Sequence, residues 1–116
     1  MPAAIYDITI EQGATFTLSL VWKDSAGTPI DLTGWQARMQ VRPAYHSDVV
    51  FLSLSSPSGG ITLGGTAGTI EVVGSAAATA AIDGRKAVYD IELVAPGGAV
   101  TRLLQGAAVI SPEVTR

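Results

Sequence analysis

Apolar and polar residues alternate with a period of two along much of the chain. From Thr15 to Trp22, one side carries Phe16, Leu18, Leu20 and Trp22, and the other carries Thr15, Thr17, Ser19 and Val21. Side chains on a strand point to its two faces in turn, so this stretch predicts a strand with one buried face. The pattern recurs in Gln36–Arg42, where Ala37, Met39 and Val41 form an inner row and Arg38, Gln40 and Arg42 an outer one. Pro43 lacks an amide donor and ends that strand. Residues 48–54 read as a nearly continuous apolar strand, followed by shorter ones at 61–63 and 69–73. In 88–94, Tyr89, Ile91 and Leu93 face inward, and the chain returns along 100–110 after the turn Pro96-Gly97-Gly98.

Between these runs lie bend-forming segments. Residues 23–29 and 55–60 are rich in Ser, Gly, Asp and Pro, and Gly64-Gly65-Thr66-Ala67-Gly68 suits a tight hairpin connection. Residues 75–82 are the one helix-compatible stretch, with Ser75 as its cap and Gly84 as its stop. About eight residues make one or two turns, a connector and not a layer. Seven or eight short strands at roughly ten-residue spacing predict an all-β antiparallel sandwich or small barrel. With no internal repeat and no linker, residues 1–116 form a single domain.

Composition narrows the function. The chain has no cysteine, which removes disulfides, thiolate metal sites and thiol catalysis. Its seven Lys/Arg are scattered against ten Asp/Glu, a net charge of −3, so no basic patch for nucleic acid is expected. Only 15% of residues are charged, against about 25% in a typical domain. Such a surface is rich in small residues, and neighbouring subunits often cover part of it. No apolar run approaches a membrane span, and residues 1–7 lack a basic leader, so a soluble protein made in the cytosol is expected.

The candidate residues for chemistry have simpler structural readings. His46 adjoins Ser47 and Asp48, but a catalytic triad gathers its members from separate elements, and one imidazole cannot hold a metal. Asp90 and Glu92 share a strand face about 7 Å apart, a separation compatible with glycoside chemistry. Arg38 and Arg42 lie on an outer strand face as well, and surface ion pairing is the favoured reading. Asp24 and Asp31 lack the alternating oxygens of a calcium loop. Gly59-Gly60 and Gly64-Gly65 lack the helix and lysine of a phosphate loop. Trp22 is in phase with the core, and Trp35 is the residue on which a sugar-stacking reading rests. No catalytic residue, cofactor or metal is expected.

Several segments carry a resemblance when taken in order. They are Ile10-Glu11-Gln12-Gly13-Ala14-Thr15-Phe16, Leu20-Val21-Trp22-Lys23-Asp24, Gly27-Thr28-Pro29-Ile30-Asp31-Leu32-Thr33-Gly34 and Ala37-Arg38-Met39-Gln40-Val41-Arg42. Gly59-Gly60-Ile61, Val88-Tyr89-Asp90-Ile91-Glu92-Leu93 and Ser111-Pro112-Glu113-Val114-Thr115-Arg116 complete them. The chain resembles a group of small virion proteins of tailed bacteriophages and prophages. Its first half is similar to the N-terminal attachment domain of phage baseplate upper proteins. The resemblance implies an immunoglobulin-like sandwich, without catalytic residues, that docks in the tail, baseplate or neck and holds a fibre or receptor-binding protein. It further implies many copies in a symmetric virion assembly, with other phage structural proteins as partners. Because the sequence ends at Arg116 with no fibre-like extension, an adaptor or accessory subunit is expected. Ile5, Tyr6, Trp35, Arg38, Arg42, Pro112, Val114 and Arg116 are the expected interface residues, the terminal segments acting as arms. A capsid decoration protein and a carbohydrate-binding module are the alternatives.

Overall fold

Residues 4–56, 59–82 and 84–115 are described by the computed structural model. The alternating stretches become strands: β1 (Ala4–Ile5), β2 (Ile8–Glu11), β3 (Phe16–Val21), β4 (Gln36–Arg42), β5 (Leu52–Ser56), β6 (Ile61–Leu63), β7 (Thr69–Gly74), β8 (Lys86–Val94) and β9 (Val100–Ser111), with a short helix α1 (Ala76–Ala80). They form two sheets. The wide one has the order β1-β9-β8-β4-β5 with β2 also on β9, and the narrow one is β3-β7-β6. This is an all-β sandwich. Leaving out β1 and β2, the two orders match the B-E-D and G-F-C-C′ sheets of an immunoglobulin-like Greek key.

The inner rows read from the alternation are the core. Ala37, Met39, Val41, Tyr89, Ile91 and Leu93 are buried, and they meet Ile70, Val72, Ile61 and Phe16 of the narrow sheet. Trp22 and Trp35 close one end of this core edge to face, with ring centroids 5.5 Å apart and planes at 85°. The opposite end is pinned by Thr79, a fully buried hydroxyl residue. Its Oγ1 donates to the Ala14 carbonyl (2.8 Å) and accepts from the Gly13 amide (3.1 Å), tying α1 to the β2–β3 turn.

Four expectations need correction. The pairing is not antiparallel throughout: β1 and β2 run parallel to β9 in one register, Ala4 opposite Leu104 and Ile8 opposite Ala108. Among the described residues the strands number nine, because this N-terminal strand breaks at Tyr6-Asp7. There the Asp7 carboxylate accepts the Ala107 amide (3.0 Å) in place of a backbone carbonyl, and the Tyr6 carbonyl accepts the Tyr89 hydroxyl. The strand expected over 48–54 begins only at Leu52, since the Ser47 hydroxyl accepts the Val49 amide (3.0 Å) and turns the chain first. Helix α1 has Ser75 as its cap, its Oγ accepting the Ala78 amide (3.1 Å), but its last residue is Ala80 and Ala81, not Gly84, follows as the C-terminal cap. Among the hairpin glycines, Gly68 is required: φ is +67°, and a Cβ there would stand 2.7 Å from the Trp22 carbonyl oxygen.

Candidate functional site

The outer face of the wide sheet gathers Arg38, Arg42, Asp90 and Glu92. Pairing of β4 with β8 sets Arg38 opposite Glu92, Gln40 opposite Asp90 and Arg42 opposite Val88. On the far side of β4, Ser53 and Ser55 of β5 lie opposite Gln40 and Arg38. On β9, Gln105 faces Asp90 and Arg102 faces Glu92, though three positions separate them in sequence. A regular strand would send residues three apart to opposite faces. The β8–β9 register shifts between Ile91 and Glu92, where Leu103 is the extra residue, and this bulge returns Arg102 to the outer face.

The charges are arranged in a connected cluster. Arg38 Nε donates to Glu92 Oε1 at 2.8 Å, and Arg102 Nε lies 3.6 Å from Asp90 and 3.9 Å from Glu92. Arg102 Nη1 also donates to Gln105 Oε1 (3.3 Å). Burial first, and then the neighbouring Glu92, hold the Asp90 carboxyl above the usual carboxylate range, against the pull of Arg102, Arg38 and Arg42. Two open concavities result. One of about 290 Å³ lies among Arg42, Tyr45, Asp90, Arg102 and Gln105, and one of about 480 Å³ among Arg38, Ser53, Ser55 and Glu92.

Surface ion pairing of Asp90 and Glu92 is therefore correct for Arg38, but the second cation is Arg102 and not Arg42. Arg42 is occupied elsewhere, donating to Gln40 Oε1 (2.8 Å) and to the Ser47 carbonyl (2.6 Å). His46 is exposed in the β4–β5 loop, and its neighbour Ser47 is engaged in that loop's turn. Asp24 accepts the amides of Ala26 and Thr28 within its own turn. Asp31 accepts the Thr33 hydroxyl and amide, and these two bonds, the hydroxyl's first, hold its carboxyl below the usual range.

Of the expected interface residues, the structure brings Ile5, Arg38 and Arg42 onto this one face. Ile5 is opposite Gln105 and 78% exposed. The Tyr6 amide donates to the Gln105 carbonyl (2.9 Å), so the described part of the N-terminal arm is paired in the chain's own sheet while the Tyr6 side chain stays exposed. Trp35 is at the end closed by the tryptophan pair, and Pro112 and Val114 are exposed at the other end, beyond β9. Arg116 lies outside the described residues. Arg102, Gln105 and Tyr45 were missed by sequence reasoning. The adjacent pair Leu103-Leu104 inside an alternating strand is the signal that would have revealed the bulge.

The outer face of the wide sheet is mixed in character. Its carboxylates are paired with arginines, and around the charged centre stand exposed Ile5, Tyr45, Val100 and Val109. No protein-family model matches the chain, and a search of curated proteins finds no match.

Proposed function

We propose that the chain is a non-enzymatic structural subunit of a tailed-phage virion, docking in the tail, baseplate or neck as an adaptor or fibre-attachment part. The observation that carries the protein-binding half of this reading is the outer face of the wide sheet. A cluster of charges there, with Arg38 and Glu92 paired and Asp90 short of a close partner, supplies polar contacts that set register, and a rim of exposed apolar side chains supplies burial when a partner covers it. The phage half rests on the ordered segments from Ile10 to Arg116 that resemble small virion proteins. In this reading the subunit is made in the bacterial cytoplasm and enters the particle in several copies, held by shape and charge complementarity.

Particles purified from phage-producing cells and probed with antibody against the chain test it. Detection on intact particles and isolated tails supports the reading, and detection on heads purified without tails replaces it with a capsid decoration role. Absence from all particles sinks it. Charge reversal of Arg38 together with Arg102 is expected to prevent incorporation while leaving the isolated domain folded, since both side chains lie more than half exposed on the sheet surface.

A further inference from the structure

A sandwich that does not close into a barrel leaves strand edges, and most edges here are blunted. β1 and β2 are short, broken at Tyr6-Asp7, and carry exposed Asp7 and Glu11. β5 abuts the crossing into β6, where Ser55 and Gly59 exchange two backbone hydrogen bonds (2.8 and 2.9 Å), and β6 has three residues. β3 differs. It has six residues in unbroken register with β7, from Phe16 opposite Gly74 to Val21 opposite Thr69, without proline, charge or bulge. These are the devices that normally prevent edge pairing.

The direction of its free groups follows from one hydrogen bond. The Trp22 amide donates to the Gly68 carbonyl (2.9 Å), so the even-numbered residues of the strand address β7. Thr17, Ser19 and Val21 then point their amides and carbonyls away, and among the described residues no other element's backbone receives them. The inner row is also incomplete. Leu18, Leu20 and Trp22 remain partly exposed, whereas Ile70 and Val72 on the neighbouring strand are at 0%.

We propose that the β3 edge is a two-fold pairing site for a second copy of this chain. The sequence Phe16-Thr17-Leu18-Ser19-Leu20-Val21-Trp22 is nearly a palindrome in chemistry: aromatic, β-branched, Leu, Ser, Leu, β-branched, aromatic. An antiparallel pair about a two-fold axis opposes such a segment to itself reversed. Centred on Ser19, it sets Ser19 against Ser19 of the second copy, Thr17 against Val21, Leu18 against Leu20 and Phe16 against Trp22. All three outward-pointing residues of each strand then find partners. A shift of one residue would oppose inner Leu18 to outer Ser19. A shift of two would leave Val21 against Thr15, outside the strand. Within β3 no like charges meet, and the half-open leucines gain cover. The result is a continuous sheet in the order β6-β7-β3-β3-β7-β6. The pairing is a property of the isolated chain and stands whatever particle the chain enters.

The native chain has no cysteine, so single-cysteine variants read the register directly. Opposed Ser19 residues would have Cα atoms about 5.5 Å apart, within disulfide reach, and the two Thr17 residues about 14 Å apart. Under mild oxidation Ser19→Cys should cross-link at least tenfold faster than Thr17→Cys. A mixture of Thr17→Cys and Val21→Cys should cross-link with each other in preference to either alone. Light scattering over micromolar to millimolar concentrations should show the native mass rising above 11.9 kDa, and Ser19→Pro, which removes the outward amide of the central residue and leaves the β3–β7 hydrogen bonds in place, should stay monomeric. A native chain that stays monomeric across this range overturns the proposal. So does equal cross-linking of Ser19→Cys and Thr17→Cys.

Discussion

Ala37, Met39, Val41, Ile91 and Leu93 of the wide sheet are all 2% exposed or less, whereas in the narrow sheet only β7 reaches that level. Leu18 and Leu20, one strand away from β7, stay partly open although they point into the same core. Residue type does not set this difference, and neither does edge position alone, since Leu52 and Leu54 on the wide sheet's edge strand β5 are buried; what Leu18 and Leu20 lack is cover beyond the free edge of β3. The outer faces differ as well. The wide sheet presents Arg38, Arg102, Asp90 and Glu92 in one network, while the narrow sheet presents Thr17, Ser19, Val21, Thr62 and Val73, with Glu71 bonded to Ser19 (2.9 Å). One face is closed to strand pairing and rich in charge. The other carries a single charge on its strands, Glu71, and ends in an undefended edge.

The largest test of this contrast is paired truncation. Ile91→Ala in the wide sheet is expected to cost about 3–4 kcal/mol, because a fully buried side chain leaves a cavity that its neighbours cannot fill. Leu18→Ala on β3 is expected to cost about 1 kcal/mol, since its site already opens to solvent. Urea unfolding of both variants measures the difference, and equal losses would mean that the free edge of β3 is as well covered as the interior of the wide sheet.

Gly106→Ala tests how the wide sheet holds its own edge. A Cβ at Gly106 would fall on the Tyr6 carbonyl, a backbone atom with no rotamer to escape by. The expected cost is about 2 kcal/mol, together with faster hydrogen exchange at the Tyr6 amide as β1 lifts from β9. Unchanged exchange there would show that the edge adapts without opening.

Much of the sandwich was legible from alternation, because β4 and β8 lie inside a sheet with one face on the core and one in solvent. Arg38, Gln40 and Arg42 were placed on the outer face for that reason. The alternation fails at three particular places, each through a bond that periodicity does not carry. The Leu103 bulge shifts the phase of β9, so Arg102 and Gln105 could not be assigned to one face. The Ser47–Val49 bond turns the chain ahead of β5, leaving Val49 and Val50 exposed despite their β-branched character. The parallel pairing of β1 and β2 with β9 joins residues 100 positions apart, which no local pattern encodes. The charge cluster was half visible: the Arg38–Glu92 pair follows from strand faces, while Arg102 needs the bulge.

Tyr89 sharpens the comparison at alkaline pH. Its hydroxyl donates to the Tyr6 carbonyl from a buried ring, and burial first, then Asp7 and Tyr6, raise its pKa to about 12. An unfolded tyrosine ionises near 10. Between these values the unfolded chain loses a proton that the folded chain keeps, so the stability held at Tyr89 is full below pH 10 and is lost as pH rises toward 12. Tyr89→Phe should cost about 1 kcal/mol at pH 7 through the lost bond and should flatten the decline above pH 10. A decline of unchanged steepness in the variant would assign alkaline unfolding to another group.

The smallest effects belong to the charged face, and their signs differ between its two carboxylates. Glu92 accepts a 2.8 Å bond from Arg38, while Asp90 has only Arg102 at 3.6 Å and is raised by burial and by Glu92 itself. The folded state therefore keeps the Asp90 proton at pH values just above 3.8, where the unfolded chain has released it. Stability falls as pH rises through that window, the reverse of a well-paired carboxylate. Glu92→Gln is accordingly expected to destabilise by about 0.5 kcal/mol at pH 7, and Asp90→Asn to be neutral or stabilising by a few tenths. Urea midpoints at pH 4 and pH 7 separate the two, since Asp90→Asn should remove part of the difference between them. If both substitutions destabilise alike, the face is one evenly compensated network, and its charges are better described as mutual support than as a pair plus a carboxylate left short of a partner.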